Sequence, residues 1–370
     1  MSNGYADKNL LIYKHIHAIV IFIWYLSNSI IGFHDSRERS ESTGRHLESM
    51  EANHIGGICL KYRPIVNPEL KQVLEESPKI ELRDLELARS QPRLPVEKSP
   101  FVLTTTRFIK RSDSDLMVKI YEPINKPQTK LPGLLWIHGG GYILGHPDSD
   151  DVLCETFVLD VNCKVVSVDY RLAPEDPYPA AIEDCYDALK WMADNAEELN
   201  IDRSRIAIAG ASAGGGLTAA LALLARDRGG PEIAFQMPLY PMIDDRNITK
   251  SSNQINKGNF PTVWHREVNQ RAWKMYLGKN ASDDIPYYAA PARATDLSGL
   301  PPTYTCVGEL DPFRDETLEY VARLAQAGVP VEFHLYPGCF HGFDLSPAKP
   351  EIGVRAQKEY ISALARALHP

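Results

Sequence analysis

The sequence contains no CxxC pair and no cysteine-to-histidine spacing of the zinc-binding kind; its six cysteines, Cys59, Cys154, Cys163, Cys185, Cys306 and Cys339, are scattered along 370 residues. Neither a metal site nor a disulfide-stapled scaffold is signalled, and a reducing, cytoplasmic compartment is the expectation. Basic charge is also in deficit. Forty Lys and Arg stand against 48 Asp and Glu, a net charge of −8, and no basic block occurs. Nucleic acid is therefore not an expected partner. Internal repeats are absent. The chain has 44% hydrophobic and 24% charged residues, the balance of a globular protein able to bury a large core.

Long apolar runs are nearly lacking as well. The longest, HAIVIFIWYLSNSIIGF at residues 17–33, is at the lower limit for crossing a bilayer, and Ser27, Asn28 and Ser29 interrupt it. Its strongly apolar centre resembles the core of a signal peptide, but no small-residue cleavage site follows. An anchor, a signal, a lid helix and non-native sequence ahead of Met50 remain open for residues 1–49. Membrane contact, if any, is expected only through this segment. The polar stretch before Met50 has no periodicity, and residues 1–49 are expected to be dispensable.

What is present is ordered. From Asn67 to about Arg93, leucines and charges alternate at helical spacing, and Pro78 divides two short amphipathic helices, candidates for a cap within residues 50–98. Beyond Pro95, short apolar runs at 116–123, 133–140, 164–171, 205–210, 233–240, 302–308 and 331–338 read as buried strands. Helical patterns at 180–199, 213–228, 266–277, 315–327 and 353–368 fall between or after them. Strands alternating with helices predict an α/β fold, a mostly parallel sheet covered on both faces, and place ligands at the carboxyl ends of its strands.

At one such end stands GASAG, residues 210–214, a Gly-x-Ser-x-Gly sequence between a strand and a helix. The glycines permit a sharp turn that exposes the Ser212 hydroxyl. A glycine-rich phosphate loop is the rival, but the stretch lacks a Lys-Ser/Thr ending and the Gly-x-Gly-x-x-Gly spacing. A purely structural turn is the other rival. HGGGY, residues 138–142, ends another strand; the amides of Gly140 and Gly141, with that of Ala213, could converge on a developing oxyanion. A hydroxyl nucleophile needs a base and the base an orienting acid. His341 lies in a loop beyond a strand, whereas His334 sits inside one, His265 near an expected insertion and His369 at the terminus. For the acid, Asp311 is best placed, with Glu309 and Asp315 as alternatives; Asp315 and Glu316 suit a helix start for structural reasons alone. Arg171 and Glu175 read as a structural charge pair.

HGGGY, DYRLAPE (residues 169–175), GASAGGG (residues 210–216) and the Asp311 and His341 segments together resemble the hormone-sensitive-lipase-like carboxylesterases, most closely their bacterial branch. The resemblance covers roughly residues 65–368. It implies an α/β-hydrolase fold over 99–370 with a helical cap from the N-terminal helices and an insertion around 245–273. It also implies a Ser212–Asp311–His341 triad and an oxyanion hole at Gly140, Gly141 and Ala213. The implied substrate is a small-molecule acyl ester; no metal or cofactor is called for, and homodimers occur in the family. Tyr142, beside the glycines, is a candidate for lining the pocket. Ala211 departs from the Asp or Thr common before the serine, which blurs the subfamily without removing a catalytic group. A plant hormone receptor of this family lacks the catalytic histidine, a residue present here as His341. An anchored arylacetamide-type deacetylase shares the motifs.

Overall fold

The computed structural model describes residues 65–370 apart from 78, 81, 83–84, 91–96, 113, 126, 281–283 and 347. Among the described residues eight strands form a single sheet: β1 (Val102–Ile109), β2 (Leu116–Pro123), β3 (Leu131–Ile137), β4 (Lys164–Val168), β5 (Ile201–Ala211), β6 (Phe235–Leu239), β7 (Thr303–Leu310) and β8 (Val331–Phe340). Their spatial order is β1-β2-β4-β3-β5-β6-β7-β8. β2 runs antiparallel to both its neighbours, and every pair from β4 to β8 is parallel.

All seven apolar runs are strands. The sequence reading missed β1, and the reason is physical: it is an edge strand with only Val102 and Ile109 buried, so no alternation of apolar and polar residues marks it.

Helices cover both faces: α3 (Asp151–Thr156), α4 (Ala180–Asp194), α5 (Ala213–Asp227), α8 (Arg314–Gln326) and α9 (Glu351–Leu368). Side chains that alternate along β3 and β5 feed two separate cores. Leu135, Ile137, Ile206 and Ile208 face one cluster with Leu189 of α4 and Leu217 and Leu221 of α5. Leu134, Trp136, Ala207 and Ala209 face the other with Phe157 and with Tyr360 and Leu364 of α9. Helix α5 is buried at every position from Ala213 to Ala225, which explains its run of alanine, glycine and leucine without a polar stripe.

The remaining helices form a cap. They are α1 (Lys71–Glu76) and α2 (Leu85–Ser90) near the start, and α6 (Lys250–Gln254) and α7 (Arg266–Leu277) between β6 and β7. The two parts are joined: Thr262 donates its hydroxyl to the Leu74 carbonyl at 3.3 Å, and the Ile80 amide donates to the Pro261 carbonyl at 2.8 Å. The expected membrane contact is withdrawn. Among the described residues no helix is long and apolar enough to cross a membrane, and the run at 17–33 lies outside them.

A second correction concerns Arg171 and Glu175, which bind different partners. Glu175 is exposed and pairs with Arg89 of α2 at 2.8 Å. Arg171 binds Asp184 of α4 through its guanidinium at 2.7 Å and its amide at 2.8 Å, and Arg111 reaches the same carboxylate. Asp184 has no exposed surface, so the two guanidinium groups compensate its burial and it neutralises them. Asp184→Ala is expected to cost roughly 3 kcal/mol, the usual result of stripping one partner from a buried ion cluster. Thermal and urea unfolding measure it, and a loss within experimental error would show that the cluster is dispensable.

Candidate active site

Strand β5 ends at Ala211 and helix α5 begins at Ala213, so Ser212 must turn the chain by itself. It does so at φ 59°, ψ −117°, a conformation that costs an L-residue strain. Three backbone hydrogen bonds hold it there. The Ser212 amide donates to the Leu239 carbonyl at 2.9 Å, and its carbonyl accepts from Gly216 at 2.9 Å and Met242 at 3.0 Å. On either side there is no space for a side chain: a methyl on Gly210 would lie 2.5 Å from the carbonyl oxygens of Ile137 and Gly214, and one on Gly214 would overlap those of Ile137 and His138.

Next to this turn, β3 runs out into His138–Gly141. Gly140 and Gly141 have φ of 121° and 63°. Among the hydrogen bonds of the described residues, none takes up the amide of Gly140, Gly141 or Ala213. Three amide donors therefore remain for another acceptor.

Two and three strands away, the loops after β7 and β8 bring Asp311 and His341 to the serine. His341 Nδ1–H donates to Asp311 Oδ2 at 2.7 Å, and His341 Nε2 lies 2.9 Å from the Ser212 hydroxyl. The carboxylate on Nδ1 leaves Nε2 as the acceptor of the serine proton. Asp311 is fully buried, and its other oxygen accepts the Phe313 amide at 2.9 Å, which fixes the carboxylate plane. Phe313 and Tyr240 meet the imidazole edge-on at 5.0 and 5.1 Å.

The competing residues are occupied elsewhere. His334 lies between Glu332 and Glu359, His265 faces Glu267 at 2.9 Å, and His369 reaches the Val161 carbonyl. Glu309 accepts the Gly338 amide, while Asp315 binds the Ser251 amide and Arg314. Glu316 is buried and accepts the amides of Ile243 and Asp244, and burial holds its carboxyl well above the usual range. Tyr142 is core rather than pocket wall: it is 1% exposed, donates to the Met242 carbonyl at 2.7 Å and stacks on Tyr276 at 4.0 Å. No group of metal-ligating side chains occurs among the described residues.

Residues 134–345 match a family described as having the alpha/beta hydrolase fold. The chain belongs to that family. Two relatives in Mycobacterium tuberculosis, the esterase LipI and the carboxylesterase NlhH, are each 37% identical to it; both matches cover 83% of this chain, with 97% and 98% of the relatives. The structure of a bacterial heroin esterase is 40% identical with a TM-score of 0.76, covering 82% of this chain and 98% of that one. The chain is thus a carboxylic ester hydrolase related to the hormone-sensitive-lipase-like bacterial esterases.

Sequence reasoning passed over two residues near the site. Trp264, in the loop before α7, lies between Gly141 and His341, with its ring 6.5 Å from the imidazole. Nothing periodic in its neighbourhood marks it. The other is Asp344, a buried carboxyl 3.4 Å from the hydroxyls of Tyr240 and Tyr360. Burial pushes it from the usual 3.8 up to about 6, against the opposing pull of those hydroxyls and of His341.

Between those two values the folded protein keeps a proton that the unfolded chain has released. Stability from this group therefore falls as pH rises through the window and is level above it. Asp344→Asn, which keeps the group neutral, is expected to remove that fall, up to about 3 kcal/mol between about pH 4 and pH 7. Asp150, pushed up to about 6 by burial in the same way, keeps its own share in the variant. Urea midpoints at the two pH values test this; an unchanged pH slope in the variant would exclude Asp344 as its source.

Proposed function

We propose that the protein is a serine carboxylesterase acting on short- to medium-chain acyl esters through an acyl-enzyme, with Ser212 as nucleophile, His341 as base and Asp311 as its orienting acid. The observation that carries this reading is the unbroken hydrogen-bonded line from the Asp311 carboxylate through the imidazole to the Ser212 hydroxyl, at 2.7 and 2.9 Å.

In that reading the Ser212 oxygen attacks the ester carbonyl as its proton passes to His341 Nε2. Asp311 stabilises the imidazolium that forms and holds its ring in place. Charge developing on the carbonyl oxygen is met by the amides of Gly140, Gly141 and Ala213, donors already fixed by the backbone before substrate arrives. The imidazolium then protonates the leaving alcohol, and a water activated by the same nitrogen hydrolyses the acyl-enzyme. Cap helices from residues 50–98 and from the insertion around 245–273 roof the site and limit the substrates to small esters; the first fifteen residues of that span lie outside the described region.

Ser212→Ala is expected to fold with an unchanged melting temperature and to lose at least about 10³-fold in kcat on a short-chain aryl ester. His341→Ala should lose a comparable factor, and His334→Ala, at a half-buried sheet residue away from the serine, should stay within a few-fold of wild type. Turnover of 4-nitrophenyl acetate measures all three. Near-wild-type hydrolysis by the serine variant would end the proposal, and a large loss at His334 with His341→Ala tolerated would reassign the base.

A further inference from the structure

We infer that Trp264 sets the upper size of the acyl group, so that the ester class favoured by this site is the short-chain one. This inference rests on the Ser212 reading above and narrows its substrate.

The indole occupies a decisive place. A methyl on Gly141 would lie 2.5 Å from its Cη2 and 2.9 Å from its Cζ2, so the outer edge of the benzo ring rests against the backbone of the glycine loop. The same side chain comes within 6.5 Å of the His341 ring. Its plate therefore spans from the amides that would hold the oxyanion toward the imidazole that would protonate the leaving group. A carbonyl carbon in attack range of the Ser212 hydroxyl, about 3–3.5 Å away, sits beside this plate.

The substituents of that carbon divide the space. The leaving oxygen has to face His341 Nε2, where the imidazole is flanked by Tyr240 and Phe313. The carbonyl oxygen has to face the glycine amides. The acyl chain takes the remaining direction, along the glycine loop, and there it meets the indole edge seated on Gly141.

The plate is also held in place, unlike a side chain free to swing aside. Trp264 Nε1–H donates to Asn269 Oδ1 at 3.1 Å, and the Asn269 amide donates to Asn247 Oδ1 at 2.6 Å. Asn269 is 1% exposed and Asn247 3%, so both ends of this relay are fixed by packing. Asn247 also accepts, at its carbonyl, the guanidinium of Arg266. A wall whose polar edge is anchored in the cap cannot make room for a longer chain without breaking buried hydrogen bonds. It can press on the loop only because residue 141 has no side chain.

The test is a series of 4-nitrophenyl esters from acetate to decanoate, read as the ratio of kcat/KM for octanoate to that for acetate, on the full chain. Wild type should prefer the short acyl groups. Trp264→Ala should raise the ratio at least about tenfold, the scale on which apolar pockets discriminate chain size. Trp264→Phe keeps an apolar plate but loses the anchor to Asn269 and should raise it less; it carries the test if the alanine variant does not fold.

An unchanged ratio in a folded variant overturns the inference. So does a uniform loss at every chain length, or a shift confined to a parallel series of acetates of increasing alcohol size. Failure of the underlying reading looks different, because Ser212→Ala would then still hydrolyse 4-nitrophenyl acetate whatever the chain-length profile of the Trp264 variants.

Discussion

The close approach of β3 to the turn that carries Ser212 is the constraint on which the site depends. The carbonyl oxygens of Ile137 and His138 stand where side chains at positions 210 and 214 would have to be. Only with both positions bare can α5 start so near the end of β3. The unfavourable φ of Ser212 follows from that approach and is sustained by the end of β6, whose Leu239 carbonyl and following Met242 amide clamp the residue from the other side. Sheet, strained residue and helix start thus form one unit. A change that relaxed the turn would move the hydroxyl, the amide donor and the helix together.

The second tier of support is aromatic. His341 is met edge-on by Tyr240 and Phe313, and both belong to the same framework: Tyr240 follows β6, and the Phe313 amide fixes the Asp311 carboxylate. Edge contacts of this kind leave the ring nitrogens free for hydrogen bonds while preventing rotation of the imidazole. Behind Tyr240 lies Asp344, a carboxyl that burial keeps protonated to higher pH than usual. Its Oδ2 accepts from the hydroxyls of both Tyr240 and Tyr360 at 3.4 Å, which ties the tyrosine to the core behind the imidazole. Asp311 then remains the acidic group in direct contact with it.

Much of this was legible in the sequence because it is written in local chemistry. Buried strands declare themselves as short apolar runs, and all seven recognised runs are strands; β1 escaped because an edge strand with an exposed face has no such run. The glycines around Ser212 and in HGGGY signal turns whose reason, crowding by neighbouring backbone, became visible only in three dimensions. Illegible were the contacts that depend on packing between distant segments. Arg171 and Glu175 look like a pair because they are close in the chain, yet their partners come from α4 and α2. Tyr142 looks like a pocket residue because it follows the glycines, yet its positive φ turns the chain so that the ring stacks on Tyr276.

Trp264 is the clearest case of the second kind, and it shows how the cap and the core constrain each other. The glycine at 141 is required twice, once for its φ of 63° and once for the indole that rests on it. The backbone conformation that leaves this amide without a partner among the described residues is thus the same one that admits a large aromatic from the cap. Position 141 therefore couples the chemistry of the hydrolase core to the size of the space above it. An alanine there would distort the turn and push the indole outward at once, so the two effects cannot be separated at the glycine. They separate only on the cap side, where Trp264 can change without touching the backbone amides.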